Sequence, residues 1–580
     1  MKQRILALAT ASALAGLVTG CASPGHPASM ANPAVAADSI YLGGPILTMN
    51  DAQPGAEAVA VRAGRIAAVG SRADMLKMQG AGTRMVDLQG KTLLPGFVDP
   101  HSHLSAVGMQ AVSANMLPSP DGNNDSVAQL QDNLRRHMQT STEVKELGLV
   151  LGFGYDDSQL KEQRHPTREE LDAVSSTVPI LIMHQSGHFG VLNSAALKKA
   201  GINAGTPNPP GGVIGRKAGL QEPNGLLEEN AFFGAAMRLV PKLNEVQAAG
   251  WLAKAQELYL QYGYTTVQDG RSSPSNIAEV IRASKAGLLK MDVVSYPDIL
   301  GMGNGKVMDG PYYSRNYTGH FRIGGVKMTL DGSPQGKTAW LTRPYYKAPA
   351  GKPADYVGYG VLPTDKANDL MSQAFQKGWQ VLAHANGDAA IDQLIGAVRV
   401  ASERFPGSDR RPVLIHGQTL RQDQVAQLDA LGIFPSLFPM HTFYWGDWHR
   451  DSVLGPERAE NISPTGWLLA RGMRFTSHHD APVALPSSIR VLAATVNRTT
   501  RSGRVLGAEH RVEPLTALKS LTLWAAYQHF EENSKGSIEP GKLADFVVLS
   551  DNPVTMPRNQ LSTLKVLQTI KEDKKVYQAP

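Results

Sequence analysis

The stretch that decides the fold is Leu93-Leu94-Pro95-Gly96-Phe97-Val98-Asp99-Pro100-His101-Ser102-His103. It reads as a short apolar strand, marked by a proline, with two histidines projecting where the strand ends. Residues i and i+2 of an extended segment point to the same side, so His101 and His103 can face one point in space. Two imidazoles converging on one point suit a divalent metal.

Downstream, short apolar runs alternate with stretches of helical periodicity, the pattern of a parallel α/β fold. Candidate strands fall at 265–269, 291–296, 323–330, 380–383, 413–415, 433–437 and 474–477. With the strand at 93–101 they make eight, the number that closes a TIM (β/α)8 barrel. The link between the first two strands is far too long for a loop, which predicts an inserted subdomain at about 112–250. Lys327 lies within the fourth of these strands. His384 ends the fifth, His416 the sixth and Asp480 the eighth. Except for Lys327, these residues sit at strand ends, where barrel active sites are built. Each alone has an ordinary structural reading; their joint placement with His101 and His103 points to a site.

Around this barrel, assigned to 93–524, the two chain ends complement each other. Residues 60–70 read as a hairpin turning at Ala63-Gly64-Arg65, and 536–550 read again as turn then strand. Neither piece has enough apolar surface to stand alone. Residues 38–92 and 525–580 are therefore expected to pair into one small β-sandwich-like domain.

The first 20 residues have a basic start (Lys2, Arg4), an apolar run and small residues before Cys21, the shape of a secretory signal. Val18-Thr19-Gly20-Cys21 resembles a bacterial lipobox, in which the cysteine is lipidated. Residues 21–37, small and proline-rich, read as a tether. The expected location is an exported lipoprotein held by its lipid anchor at the outer membrane of a Gram-negative cell, facing the periplasm. Cys21 is the sole cysteine, so no internal disulfide can form. A composition of 42% hydrophobic and 19% charged residues is that of an ordinary globular enzyme. The net charge of +6 comes without basic runs interleaved with aromatics, so nucleic acid is not indicated.

From residue 40 onward the chain resembles the amidohydrolase superfamily of metal-dependent hydrolases, and within it the amidohydrolase family 3, or YtcJ-like, branch. The resemblance is carried by Pro95-Gly96-Phe97-x-Asp99-x-His101-x-His103, by His384-Ala385-Asn386-Gly387-Asp388 and by Asp480-Ala481-Pro482-Val483. It implies one or two divalent ions, usually zinc, at the barrel mouth. His101, His103 and Asp480 would serve one metal and His384 and His416 the second, with carboxylated Lys327 bridging them. Asp480 would be the general base in cleaving the C–N bond of a linear or cyclic amide, of N-acyl or N-formyl amine type. Ester or lactone cleavage at the same site is the alternative within enzymes, and a non-catalytic small-molecule-binding lipoprotein the alternative outside them. The sequence departs from the branch at His478-His479, where Gly-Ser is common. Substrate selection is expected from the loops: His188 in the insertion, His441, Phe443, Tyr444 and Trp445 after the seventh strand, and His479. A homodimer is left open.

Overall fold

The computed structural model describes residues 36–302, 305–349 and 351–580. Cys21, the signal segment and nearly all of the tether lie outside the described residues.

Both chain ends enter one eight-stranded sheet. Its path runs Lys574–Gln578, Val566–Lys571, Phe546–Leu549, Thr92–Pro95, Ser39–Leu47, Gly55–Arg62 and Arg65–Gly70, with Arg84–Asp87 beside Ser39–Leu47. The expected hairpin pairs Arg62 with Arg65, so its turn is the two residues Ala63 and Gly64, both at positive φ. That is the turn whose twist suits a two-residue hairpin.

The opening stretch is not one strand. Thr92–Pro95 pairs with Phe546–Leu549 in the terminal sheet, whereas Phe97–Val98 pairs in parallel with Tyr264–Ser272. Gly96 is the point of exchange: a Cβ there would run into the Thr265 side chain, so only glycine lets the chain cross so close. The boundary of the terminal unit therefore falls at Gly96 and not at residue 92.

Two parallel sheets carry the middle of the chain. One contains Phe97–Val98, Tyr264–Ser272, Asp292–Pro297 and Phe321–Ile323. The other contains Val326–Thr329, Val381–Ala385, Val413–His416, Phe434–Leu437 and Thr476–Ser477. Gly324 and Gly325 divide the predicted fourth strand between them. An Asp298–Lys327 bridge joins the sheets on one side. On the other side the Asp480 N–H donates to His101 O and the His103 N–H to Ala481 O. Most residues of these strands are buried because helices cover them, as in the apolar Val381–Ala385 between Thr364–Gln376 and Asp388–Arg404. The second of those helices buries Ile391, Leu394, Ile395 and Val398, the i, i+3, i+4, i+7 stripe of an amphipathic helix.

Residues 114–229 supply a separate six-stranded sheet. The helix Glu245–Gln261 already packs on Leu104–Val112, so the inserted segment ends before residue 245, short of the expected 250.

A buried ionic network ties the C-terminal segment to the parallel strands. Arg322, with no exposed surface, donates to Glu531 Oε1 and to His529 O at 2.8 Å. Lys535 lies 3.0 Å from Glu531 and 2.5 Å from Asp292, which Lys571 also contacts at 2.8 Å. Removing one member strands its partner's charge in the interior. Arg322→Met is expected to lower unfolding stability by about 3 kcal/mol, read as an earlier urea midpoint. An unchanged midpoint would show that the network is neutral to stability.

Candidate metal centre

The two histidines of the opening stretch owe their orientation to the neighbouring strand Tyr264–Ser272. His101 is fully buried, and its Nδ1 lies 2.6 Å from Gln268 Oε1. The Gln268 amide is itself oriented, because its Nε2–H donates to Pro100 O at 2.6 Å. His101 therefore donates from Nδ1, which leaves Nε2 a bare lone pair in the neutral ring. Burial keeps that ring neutral by pushing its pKa well below the ordinary value. His103 repeats the arrangement, donating from Nδ1 to Gly270 O at 2.7 Å.

Both Nε2 atoms lie 3.2 Å from a single oxygen, Asp480 Oδ1. That oxygen is buried and has no hydrogen-bond partner among the described residues. Burial works to raise Asp480, but His103, His478 and Lys327 beside it hold it below the usual carboxylate range. With both rings neutral, three electron-rich atoms converge there, an arrangement that a cation satisfies. The residues present fit a divalent metal.

Lys327 adjoins this cluster, its Nζ 2.8 Å from His101 Nε2. Burial pushes its ammonium down to about 7 against the opposing pull of Asp480, so near neutral pH much of it is free amine.

His384 and His416 form the second half. His384 Nε2 faces Gly332 O at 3.1 Å, a group that only accepts, so Nε2 holds the proton and Nδ1 is bare. That Nδ1 meets His416 Nε2 at 3.0 Å. His416 Nδ1 lies 3.0 Å from His478 Nε2, and His478 Nδ1 lies 3.0 Å from Ser436 Oγ. The three protons of this relay can run either way along it. Run toward Ser436, they give up the hydrogen bond between His416 Nε2 and His384 Nδ1 and leave those two lone pairs facing each other, free for a cation.

His101, His103, Lys327, His384, His416 and Asp480 are therefore brought together. The remaining expected residues divide. His188 reaches the same mouth, its ring centroid 5.6 Å from that of His384. His441 packs on Phe438, which packs in turn on His478. Phe443 is half-buried against Arg490 and Arg501. Tyr444 and Trp445 are buried and tied to the inserted segment, Tyr444 through Asp121 and Trp445 through a 2.5 Å hydrogen bond to Asp156. His479 is a correction to the expected substrate pocket. It is fully buried away from the cluster, packed on Tyr259 and Tyr264 with Nε2 3.3 Å from Asp99. Successive residues at a strand end point to opposite sides, so once His478 turns inward to His416, His479 must turn out into the core.

Residues not singled out from the sequence complete the centre. Asp331 accepts from the N–H groups of Trp340, Asn386 and Gly387 and lies 3.4 Å from His384 Nε2. It fixes the His384 loop. Gln268, which holds His101, lies among other polar residues of the strand Tyr264–Ser272 and carries no signal of its own in the sequence.

Two other acid–histidine groups are less suited to a metal. In Asp156, Asp157 and His184, the Ser186 N–H donates to His184 Nδ1 at 3.0 Å, and against burial the two carboxylates raise the ring to about 9, holding a proton on the Nε2 that faces them. In Asp292, His320 and Glu572, Lys535 and Lys571 already neutralise the acids.

The sequence model of the amidohydrolase family matches residues 84–577. Among curated relatives, an N-substituted formamide deformylase from Arthrobacter pascens is 28% identical over 92% of this chain and 97% of its own. YtcJ of Bacillus subtilis, named as an amidohydrolase, is 26% identical over 93% of this chain and 99% of its own. Among solved structures, an uncharacterised metal-dependent hydrolase from Pyrococcus horikoshii superposes with a TM-score of 0.71 at 22% identity, covering 90% of this chain and 99% of that one. The fold is thus of the TIM-barrel-like α/β kind. With a family match spanning most of its length and His/Asp groups suited to a divalent ion, the chain belongs to the amidohydrolase family of metal-dependent hydrolases.

Proposed function

We propose that the protein cleaves the C–N bond of a small N-acyl or N-formyl amine, releasing a carboxylic acid and an amine. The observation that carries this reading is the convergence of His101 Nε2, His103 Nε2 and Asp480 Oδ1 beside the buried Lys327, whose Nζ lies 2.8 Å from His101 Nε2. His101, His103 and Asp480 would hold one ion, His384 and His416 a second, and Lys327 would bridge them once its free amine has taken up carbon dioxide as a carbamate; zinc is the ion we assign. A divalent ion in such a site supplies Lewis acidity toward water and toward a carbonyl oxygen.

The chain's own residues do the rest. Gln268 and Gly270 O hold the two imidazoles with their lone pairs inward, and the His478–Ser436 relay does so for His416. Asp480 takes a proton from the attacking water and returns it to the leaving nitrogen as the C–N bond breaks, so the carboxylate is regenerated. Burial of the whole cluster strengthens these interactions by excluding bulk water. The similarity to a formamide deformylase makes small formamides the first substrates to try. We further propose that the protein is exported and anchored through Cys21.

The test is hydrolysis of a panel of N-alkylformamides and N-acetylamines by the purified chain, followed by amine release. Turnover is expected, lost on treatment with a chelator and restored by zinc. Turnover that survives complete metal removal would overturn the proposal.

A further inference from the structure

The inserted segment brings a carboxylate and an imidazole to the mouth of the metal centre. His188 precedes the strand Phe189–Leu192, and Glu229 ends the adjacent strand Pro223–Glu229, in which Glu228 pairs with Phe189. His188 Nδ1 lies 2.7 Å from Glu229 Oε2. The Glu229 N–H also donates to His188 O at 2.8 Å, so backbone and side chain hold the pair in one register.

Glu229 is held at a cost. Its φ of 46° lies in the left-handed region, which a residue with a Cβ adopts only where its surroundings leave no alternative. Its side chain is 3% exposed, and Oε1 has no hydrogen-bond partner among the described residues. A Cβ on Gly332 would come within 2.6 Å of that oxygen, so the loop carrying Gly332 O, the partner of His384, closes directly over it. A buried carboxylate in a strained backbone, aimed through one histidine at a metal-binding cluster, is more than a fold needs.

The chemistry of the pair is constrained. Burial alone would raise Glu229, but the hydrogen bond it accepts from His188 Nδ1 works against that and it stays below the usual range, so it is a carboxylate. A carboxylate only accepts hydrogen bonds, so the shared proton belongs to His188 Nδ1. In the neutral ring Nε2 is then an acceptor, and it has no protein partner among the described residues. The ring lies 5.6 Å from that of His384 and 6.2 Å from Phe233, over which Arg271 stacks at 4.4 Å.

We propose that the Glu229–His188 dyad accepts a hydrogen bond from the N–H of a bound amide, so that the inserted segment selects amides bearing an N–H over esters and N,N-disubstituted amides. This rests on the amide-hydrolase reading above and adds Glu229 and His188 as the residues that set its substrate class. A site built to accept an N–H leaves its own acceptor unpaired when the N–H is missing, and so rejects the analogue strongly.

The test uses the zinc-loaded full chain with three probes: N-butylformamide, N-butyl-N-methylformamide and butyl formate. Two variants report on the dyad, His188→Phe, which deletes the acceptor, and Glu229→Gln. The glutamine amide can donate to Nδ1 and so move the ring proton to Nε2, turning an acceptor into a donor. The kcat/KM ratio of N-butylformamide to each of the other probes is expected to fall by about tenfold or more in both variants, with metal content unchanged. Ratios within about twofold of wild type in both variants would overturn the proposal. Absence of turnover by wild type on every probe would instead sink the amide-hydrolase reading. Binding in an Asp480→Asn background then decides the dyad alone. N-butylformamide is expected to bind more tightly than its N-methyl counterpart, and His188→Phe to erase the difference. Equal affinities, or none for either probe, would overturn it.

Discussion

Replacing Asp480 by Asn is expected to lower kcat on an accepted amide by about 10³-fold while metal content changes little. The asymmetry comes from the two jobs one carboxylate performs. Asparagine keeps an oxygen where Oδ1 stands, 3.2 Å from His101 Nε2 and from His103 Nε2, so a ligand atom survives. The ability to take a proton does not survive, because an amide is not a base near neutral pH. KM is expected to move less than kcat, since the group acts on the reacting proton and not on the resting substrate. Stopped or burst kinetics on wild type and variant, alongside plasma mass spectrometry, separates the two effects. A variant that keeps full turnover would remove Asp480 from the chemistry and shift the base to another group at the mouth.

Lys327→Ala is expected to do the reverse, lowering metal content and turnover together. Burial brings Lys327 down to about 7, which in an ordinary core would be a liability with no return. Here the free amine that burial favours is the form that can react with carbon dioxide, and the resulting anion would lie among the imidazoles of the centre. Its loss leaves His384 and His416 with lone pairs and no anion between their ion and the first. Metal content should fall from near two ions per chain to at most about one, with turnover down by at least about 10³-fold. Glu in place of Lys327 provides a second reading, since a carboxylate can recover part of the metal binding without needing carbon dioxide. Undiminished metal and activity in Lys327→Ala would dismiss the bridging role.

Much of the centre was legible in the sequence for a plain physical reason. Parallel strands covered by helices are short apolar runs, and a polar residue that ends one stands out. His384, His416 and Asp480 were placed this way, and Lys327 because a lysine inside Gly325-Val326-Lys327-Met328 stands out in an apolar run. What could not be read were the partners that arrive from elsewhere in the chain. Gln268 and Gly270 come from the adjacent strand, Ser436 from another, and Glu229 from the inserted sheet, in the strand between Gly212–Arg216 and Phe189–Leu192. None has a spacing relation to the residue it orients. The direction of His479 was misjudged because His478 and His479 read alike until the turn at Asp480, at positive φ, fixes which one faces inward. The first strand was misjudged because Gly96, which exchanges one sheet for another, looks in sequence like any small residue in an apolar run.

The measurement closest to the central claim is the metal content of the full chain, purified without chelator and dialysed against zinc and bicarbonate. Between about one and two divalent ions per chain are expected, falling to well under one in a His101→Ala, His103→Ala double variant that remains folded. No bound metal in the wild-type chain after that treatment would contradict the metal-dependent centre at its root.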